Sequence, residues 1–228
     1  MSTSLITGIG RGIGQELARV LLSRGERVVG TLRDPGQLST ELNGFVARGQ
    51  LKLLALDVRD GASIAEAARQ INEPVDVLIN NAGVIGPQRQ STLDMDFDGF
   101  LETLQVNTLG PLRIVQAFLP HLRRAKQPKI VTISSRMGSL SYSKSDRIAY
   151  RASKAAVNKV MQGLATDLQP EGIVAIAVHP GWVRTDMGGA GADIAVEESA
   201  AGLIRLIDGL TLEETGGFFD WSGDRLSF

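Results

Sequence analysis

Tyr150 and Lys154 stand four residues apart in Tyr150-Arg151-Ala152-Ser153-Lys154. On a helix this spacing puts a phenol and an ammonium on one face. A phenol alone titrates near pH ~10, and a neighbouring cation that favours the phenolate brings proton exchange towards neutrality. Far upstream lies a glycine-rich run, Thr7-Gly8-Ile9-Gly10-Arg11-Gly12-Ile13-Gly14. A proton-exchanging pair downstream of a glycine turn points to an enzyme that moves hydride, because such a turn suits a dinucleotide. The pair carries little weight by itself, since the spacing arises easily by chance.

Six short apolar runs, at 5–7, 27–32, 51–56, 75–80, 129–134 and 173–178, are bounded by Gly, Pro, Asn or Asp and read as buried strands. A seventh near 216–219 reads equally as a strand or a buried loop. Between the runs lie segments with helical spacing: Ile13, Leu17, Val20 and Leu21; Ile64, Ala67, Ala68 and Ile71; Val157, Val160, Met161, Leu164 and Leu168. Alternation of this kind predicts an α/β fold, a doubly wound Rossmann-type domain over residues 1–228. Its six- to seven-stranded sheet would be mainly parallel, with helices on both faces. Ligands of such sheets bind beyond the carboxyl ends of the strands. The run from Gly8 to Gly14 is then a strand-to-helix turn whose free amides and helix dipole suit a pyrophosphate. The common G-x-G-x-x-G pattern does not fit, because Ile13 occupies the place of its third glycine; the pattern present is T-G-x-x-x-G-I-G.

Taken with Tyr150 and Lys154, that pattern resembles the short-chain dehydrogenase/reductase family, and further segments extend the resemblance from residue 5 to about 220. Asn80-Asn81-Ala82-Gly83 matches the family's N-N-A-G segment, which flanks the adenine ribose. Asp57, followed by Val58, matches the acid expected near the adenine amino group. Asn107 matches the helix asparagine that positions a water linking the lysine to solvent. Pro180-Gly181-Trp182-Val183-Arg184-Thr185 matches the segment that touches the nicotinamide carboxamide. The resemblance implies Tyr150 as acid/base, with Lys154 binding the nicotinamide ribose and holding the phenol pKa down. It assigns Ser135 to the substrate carbonyl, with Ser134 as the rival. The implied cofactor contacts are Thr7, Gly8, Gly10, Arg11, Gly12, Ile13, Gly14, Arg33, Asp57, Val58, Asn81, Ala82, Gly83, Tyr150, Lys154, Pro180, Gly181, Val183 and Thr185. From Ser135 to Tyr150 the chain runs 15 residues, about two more than the family spacing. The extra residues fall in a polar stretch at 139–147, where loops tolerate insertion.

An acid at the end of the second strand would select NAD in this family; here that place is Leu32, followed by Arg33. Arg33 and Arg11 can meet a 2'-phosphate with charge-assisted hydrogen bonds, which predicts NADP(H) over NAD(H). Asp34, about 20 residues beyond Gly14, argues the other way. The segments Ser134-Ser135-Arg136-Met137-Gly138-Ser139 and His179-Pro180-Gly181-Trp182 look most like the C-factor and sniffer-type carbonyl reductase branch. This implies reduction of a small-molecule carbonyl to an alcohol, or else a cofactor-binding signalling or scaffold role with incidental redox activity. Trp182, Met187 and Ile85 are candidates for an apolar wall, and Arg136, Tyr142 and Arg147 for the border of the substrate site. Core packing or plain solvation is the competing reading for each.

Composition excludes several other classes. The 228 residues carry 24 basic and 25 acidic side chains, a net charge of −1, so no charge excess points to nucleic acid or an anionic membrane. There is no cysteine and only two histidines, which removes disulfides and thiolate chemistry and does not suggest a metal site. No apolar run approaches a membrane span and the N-terminus does not read as a leader, so a cytoplasmic protein is expected. The family resemblance implies a homodimer or homotetramer, with helices at 99–119 and 149–168 packed against a second subunit.

Overall fold

A computed structural model describes residues 2–228. The apolar runs form one sheet, β1 Thr3–Thr7, β2 Arg27–Leu32, β3 Leu51–Ala55, β4 Val77–Asn80, β5 Lys129–Ile133, β6 Val174–His179 and β7 Phe218–Asp220, in the order β3-β2-β1-β4-β5-β6-β7. Every pairing is parallel. The uncertain segment near 216–219 therefore contributes a strand, with Phe218 opposite Ala177 and Asp220 opposite His179. Ser134 lies just beyond β5, where its N–H still donates to Val178 O at 2.7 Å.

Strand residues alternate between two cores, as the period of two requires. Leu5, Leu78, Ile130, Ala175 and Ala177 face one, while Ile6, Ile79, Val131, Ile176 and Val178 face the other. The first core is covered by α3 Gly61–Arg69, α5 Gly110–Leu122 and α6 Ile148–Leu168, through Ile64, Phe118 and Met161. The second is covered by α1 Gly12–Ser23, α2 Thr40–Ala47 and α7 Val196–Gly209, through Leu17, Leu42 and Leu203. The helix expected at 99–119 is α4 Phe97–Leu104 joined to α5 through a π-helical turn, Gln105–Leu109. The additional helix α2 escapes the sequence pattern because only Leu42 of its eight residues is buried.

The chain leaves β1 towards β2 and β3, then returns to the other side of β1 for β4. Loops after β1 and β4 consequently diverge, and the crevice between them is where ligands of doubly wound sheets bind. The glycine turn and Asn81–Gly83 flank this crevice.

Candidate active site

The turn after β1 is shaped by contacts that leave no room for side chains. Gly8 has φ 76°, and a Cβ there would lie 3.2 Å from Ala82 Cα. A Cβ on Gly14 would run into the Gly8 carbonyl and the Asn81 amide. Asn81 Nδ2 donates to Thr7 O at 2.9 Å and Gly8 O at 3.0 Å, and Thr7 Oγ1 accepts from the N–H groups of Asn81 and Ala82 at 3.0 and 3.1 Å. Helix α1 then opens with neither a side-chain cap nor an acidic residue in its first turn. Its first amides are therefore available to an anion, and the cradle fits a dinucleotide pyrophosphate. Gly12, at φ 57°, brings the turn against the loop after β6, where a Cβ would meet Thr185 Cγ2 at 3.3 Å. Next to it, Arg11 is paired with Asp186 at 2.7 Å. Ile13 packs against the second core, and Val183 is buried beside Ile194.

Other expected adenine-side residues have close partners within the protein. Leu32 packs under Gly10, where a Cβ would lie 2.7 Å from Leu32 Cδ2. Asp34 caps the short turn Pro35–Gln37, accepting from Gly36 N at 3.0 Å and Gln37 Nε2 at 3.3 Å, so its carboxylate serves the turn. Asp57 accepts from Arg59 Nη2 at 2.7 Å, and Arg59 continues to Glu102 at 2.7 Å. Those Arg59 hydrogen bonds hold the Asp57 carboxyl below its ordinary range. Arg33 is exposed and adds to that lowering by its charge. The Val58 side chain belongs to the first core and packs against Gly110.

Tyr150 occupies the third position of α6 and is only 8 % exposed. Burial pushes its phenol pKa up, while the Ser135 hydroxyl and, after it, the charge of Arg147 pull it down. Lys154 is also buried, and desolvation lowers its pKa to about 8. Its ammonium donates to Ile133 O at 2.7 Å and sits 5.7 Å from the centre of the Tyr150 ring. The ammonium is thus held at the end of β5, on the same side as the phenol ring. The two candidate serines have different surroundings. Ser135 lies beside the phenol, whereas Ser134 Oγ donates to Asn158 Oδ1 at 2.5 Å inside the core. The remaining titratable ring at this edge, His179, is pushed to about 4 by burial first and by Arg136 second, so it is neutral at physiological pH.

The family model for short chain dehydrogenases matches residues 2–193. The chain belongs to that family. It is 47% identical to the C-signal of Myxococcus xanthus over 151 residues, 66% of this chain and 90% of that protein. Its fold superposes on an NADPH-bound carbonyl reductase from chicken fatty liver with a TM-score of 0.93 at 33% identity, covering 100% of this chain and 99% of the other. Carbonyl reductase Sniffer of D. melanogaster gives a TM-score of 0.94 at 30% identity over 100% of both chains. The chain is accordingly an oxidoreductase of the short-chain dehydrogenase family, with carbonyl reductases among its structural neighbours.

Within this short-chain dehydrogenase site, Asn107 is a brace. Its Nδ2 donates to Val84 O at 2.8 Å and Ser153 Oγ at 3.0 Å, and its Oδ1 accepts from Val84 N at 2.9 Å. Both amide hydrogens are engaged in these bonds. Asn107 still stands near the lysine, since a Cβ on Gly83 would lie 3.3 Å from Asn107 Oδ1 and 3.8 Å from Lys154 Nζ. Two further residues escaped the sequence reading. Gly138 packs on the α6 backbone, where a Cβ would come within 2.7 Å of Lys154 C. Gln90 accepts from Tyr150 N at 3.1 Å. The longer stretch before Tyr150 forms an exposed loop at 140–147, including Tyr142. Trp182 and Met187 are exposed at 52% and 42% rather than packed in the core, and Ile85 is half-buried.

Proposed function

We propose that this protein reduces a carbonyl compound to an alcohol with NADPH, using Tyr150 as the proton donor. The observation that carries the reading is the convergence of Ser135, Tyr150 and Lys154 beyond β5, beside the crevice bordered by the glycine turn. When bound, the nicotinamide supplies the hydride. The Tyr150 hydroxyl gives its proton to the substrate oxygen as charge develops there, and Ser135 donates a hydrogen bond to that oxygen. Lys154 binds the ribose next to the reacting carbon and places positive charge near the phenolate left behind. Burial raises the phenol pKa, so the hydroxyl keeps the proton that this role requires it to give.

The preference for NADPH draws support from the end of β2. Leu32 is apolar, Asp34 is committed to its turn, and Arg33 is exposed, so no free carboxylate in this segment opposes a 2'-phosphate. Arg11 would have to leave Asp186 to join in, at little cost for so exposed a pair. Comparing Kd for NADP(H) and NAD(H) tests this reading, and equal or tighter binding of NAD(H) overturns it. Arg33→Ala weakens NADPH more than NADH.

The similarity to C-signal favours one second reading, a cofactor-binding signalling protein. A screen of NADPH oxidation over aldehydes, ketones and quinones separates the two. Wild type and Tyr150→Phe equally inert, with both binding cofactor, would decide for signalling. No helix among the described residues is long and apolar enough to cross a membrane. A cytoplasmic setting is part of the proposal, as is a homo-oligomer: Phe97 and Leu101 stand one turn apart on α4, exposed at 73% and 61%, an apolar stripe suited to a second copy. A monomer by light scattering would remove that part.

A further inference from the structure

Beyond Gly83 the chain loops out and returns against the start of α6, bordering an open pocket of about 510 Å³. Ile85 and Pro87 give it apolar surface, while Gln88, Arg89, Asp94 and Arg147 supply polar lining. Arg89 is paired with Asp94 at 2.9 Å, and their charges cancel. Asp146, next to Arg147 in sequence, is paired with Arg151 at 2.8 Å. Arg147 has no salt-bridge partner among the described residues. One uncompensated cation therefore borders the pocket.

The backbone makes Arg147 harder to explain as filler. At φ 51° and ψ 46° it is left-handed, alone among the described non-glycine residues, a conformation that costs an ordinary side chain about 1 kcal/mol. Gly or Asn would sit there more easily, and Asn could also cap α6. Arg147 supplies no such cap. It does place a guanidinium at the positive end of α6, three residues before Tyr150, where its charge is felt by the phenol.

We propose that Arg147 binds a carboxylate on the substrate, so that the compounds reduced are keto or aldehyde acids with the carbonyl at Tyr150 and the anion in the pocket. This rests on the reading of Tyr150 as proton donor to a carbonyl. A planar guanidinium matches a carboxylate in two parallel hydrogen bonds, and Ile85 and Pro87, which line the same pocket, offer apolar surface to the rest of the substrate.

The test compares an aryl keto acid with its methyl ester in wild type, Arg147→Asn and Arg147→Lys. Asparagine tolerates left-handed backbone, so the fold is kept, and a thermal melt confirms it. The wild type should favour the acid in kcat/KM by about tenfold or more, chiefly through KM. In Arg147→Asn the acid-to-ester ratio should fall to about one, and Arg147→Lys should retain part of it. Taking the ratio within each variant cancels any effect of the substitution on Tyr150. A wild-type ratio at or below one, or a ratio unchanged in Arg147→Asn, overturns the proposal. Binding of both compounds to Tyr150→Phe, with and without NADP+, separates the two readings. Acid-selective binding with no wild-type turnover keeps the anion site and removes the reductase. Turnover without acid preference does the reverse, and neither binding nor turnover removes both.

Discussion

The backbone N–H of Tyr150 donates to the side-chain carbonyl of Gln90 at 3.1 Å, and the N–H of Ile148 donates to the Gln90 backbone carbonyl at 2.8 Å. Helix α6 lacks a side-chain cap of its own, so a residue from a distant loop satisfies two of its opening amides. The Gln90 Nε2 donates in turn to Ile85 O at 3.1 Å and Pro87 O at 2.6 Å, which locks the loop that makes this possible. Gln90 is thus a positioning residue for the phenol. Gln90→Leu should lower stability by about 2–4 kcal/mol, since several buried polar groups lose partners, and should also lower kcat. Gln90→Glu, which keeps the acceptor for Tyr150 N–H, should fall between. Urea unfolding and turnover read both effects; a leucine variant as stable and active as wild type would remove the role.

Gln90 also marks where sequence reading stops. Strand β2 is legible to the residue because a buried parallel strand is a bounded apolar run, and the glycine turn is legible because only glycine fits its close approaches. The shared face of Tyr150 and Lys154 follows from their four-residue spacing once the segment is taken as a helix. What Gln90 does depends on a contact 60 residues away, with no local pattern to announce it. Lys154 marks a different limit: a four-residue spacing says which groups share a face, but burial and the carbonyl of Ile133 decide where the ammonium rests. The same holds for Asp34 and Asp57, whose carboxylates are claimed by near neighbours in ways that family position does not reveal.

Ser134 and Ser135 are adjacent in sequence and should respond oppositely. Ser135→Ala removes the hydroxyl that draws the phenol pKa down, so activity should drop by about 10²-fold and the phenol should titrate higher, with stability little changed. Ser134→Ala takes the partner from Asn158 Oδ1, whose Nδ2 is already unpaired in the core, and should cost about 1–3 kcal/mol of stability. Activity–pH profiles and urea melts of the two variants distinguish them. A larger activity loss from Ser134→Ala would reverse the assignment.

Gly138 holds the loop carrying Ser135 against α6. An added methyl would meet the backbone of Lys154 and Ala155 at 2.7 and 2.9 Å, and neither main chain can yield without moving the helix. Gly138→Ala should therefore destabilise by about 1–3 kcal/mol and separate Ser135 from Tyr150, lowering kcat more than it raises KM. Gly163→Ala on the same helix, where a Cβ meets nothing within 4 Å, provides the control and should be neutral or stabilising by a few tenths of a kcal/mol, roughly. Equal behaviour of the two variants would show that the packing at Gly138 does not matter.

Lys154 makes the stability of the folded protein depend on pH in a specific window. Desolvation lowers its pKa from 10.5 to about 8, so between those values the unfolded chain holds a proton that the folded chain has released. Stability from this group consequently rises with pH across the window, and below about pH 8 the fold carries the full cost of a buried ammonium. Lys154→Met removes that cost while keeping most of the stem. The variant also leaves Ile133 O without its partner, a penalty that does not vary with pH, so the change in the difference matters rather than its absolute value. Relative to wild type, the variant should lose an advantage on the order of 3 kcal/mol as pH goes from about 7 to about 10.5. Urea unfolding of both proteins in the absence of cofactor, at intervals across that range, measures it. A stability difference that stays flat from end to end would mean that the folded chain does not shift the proton of Lys154.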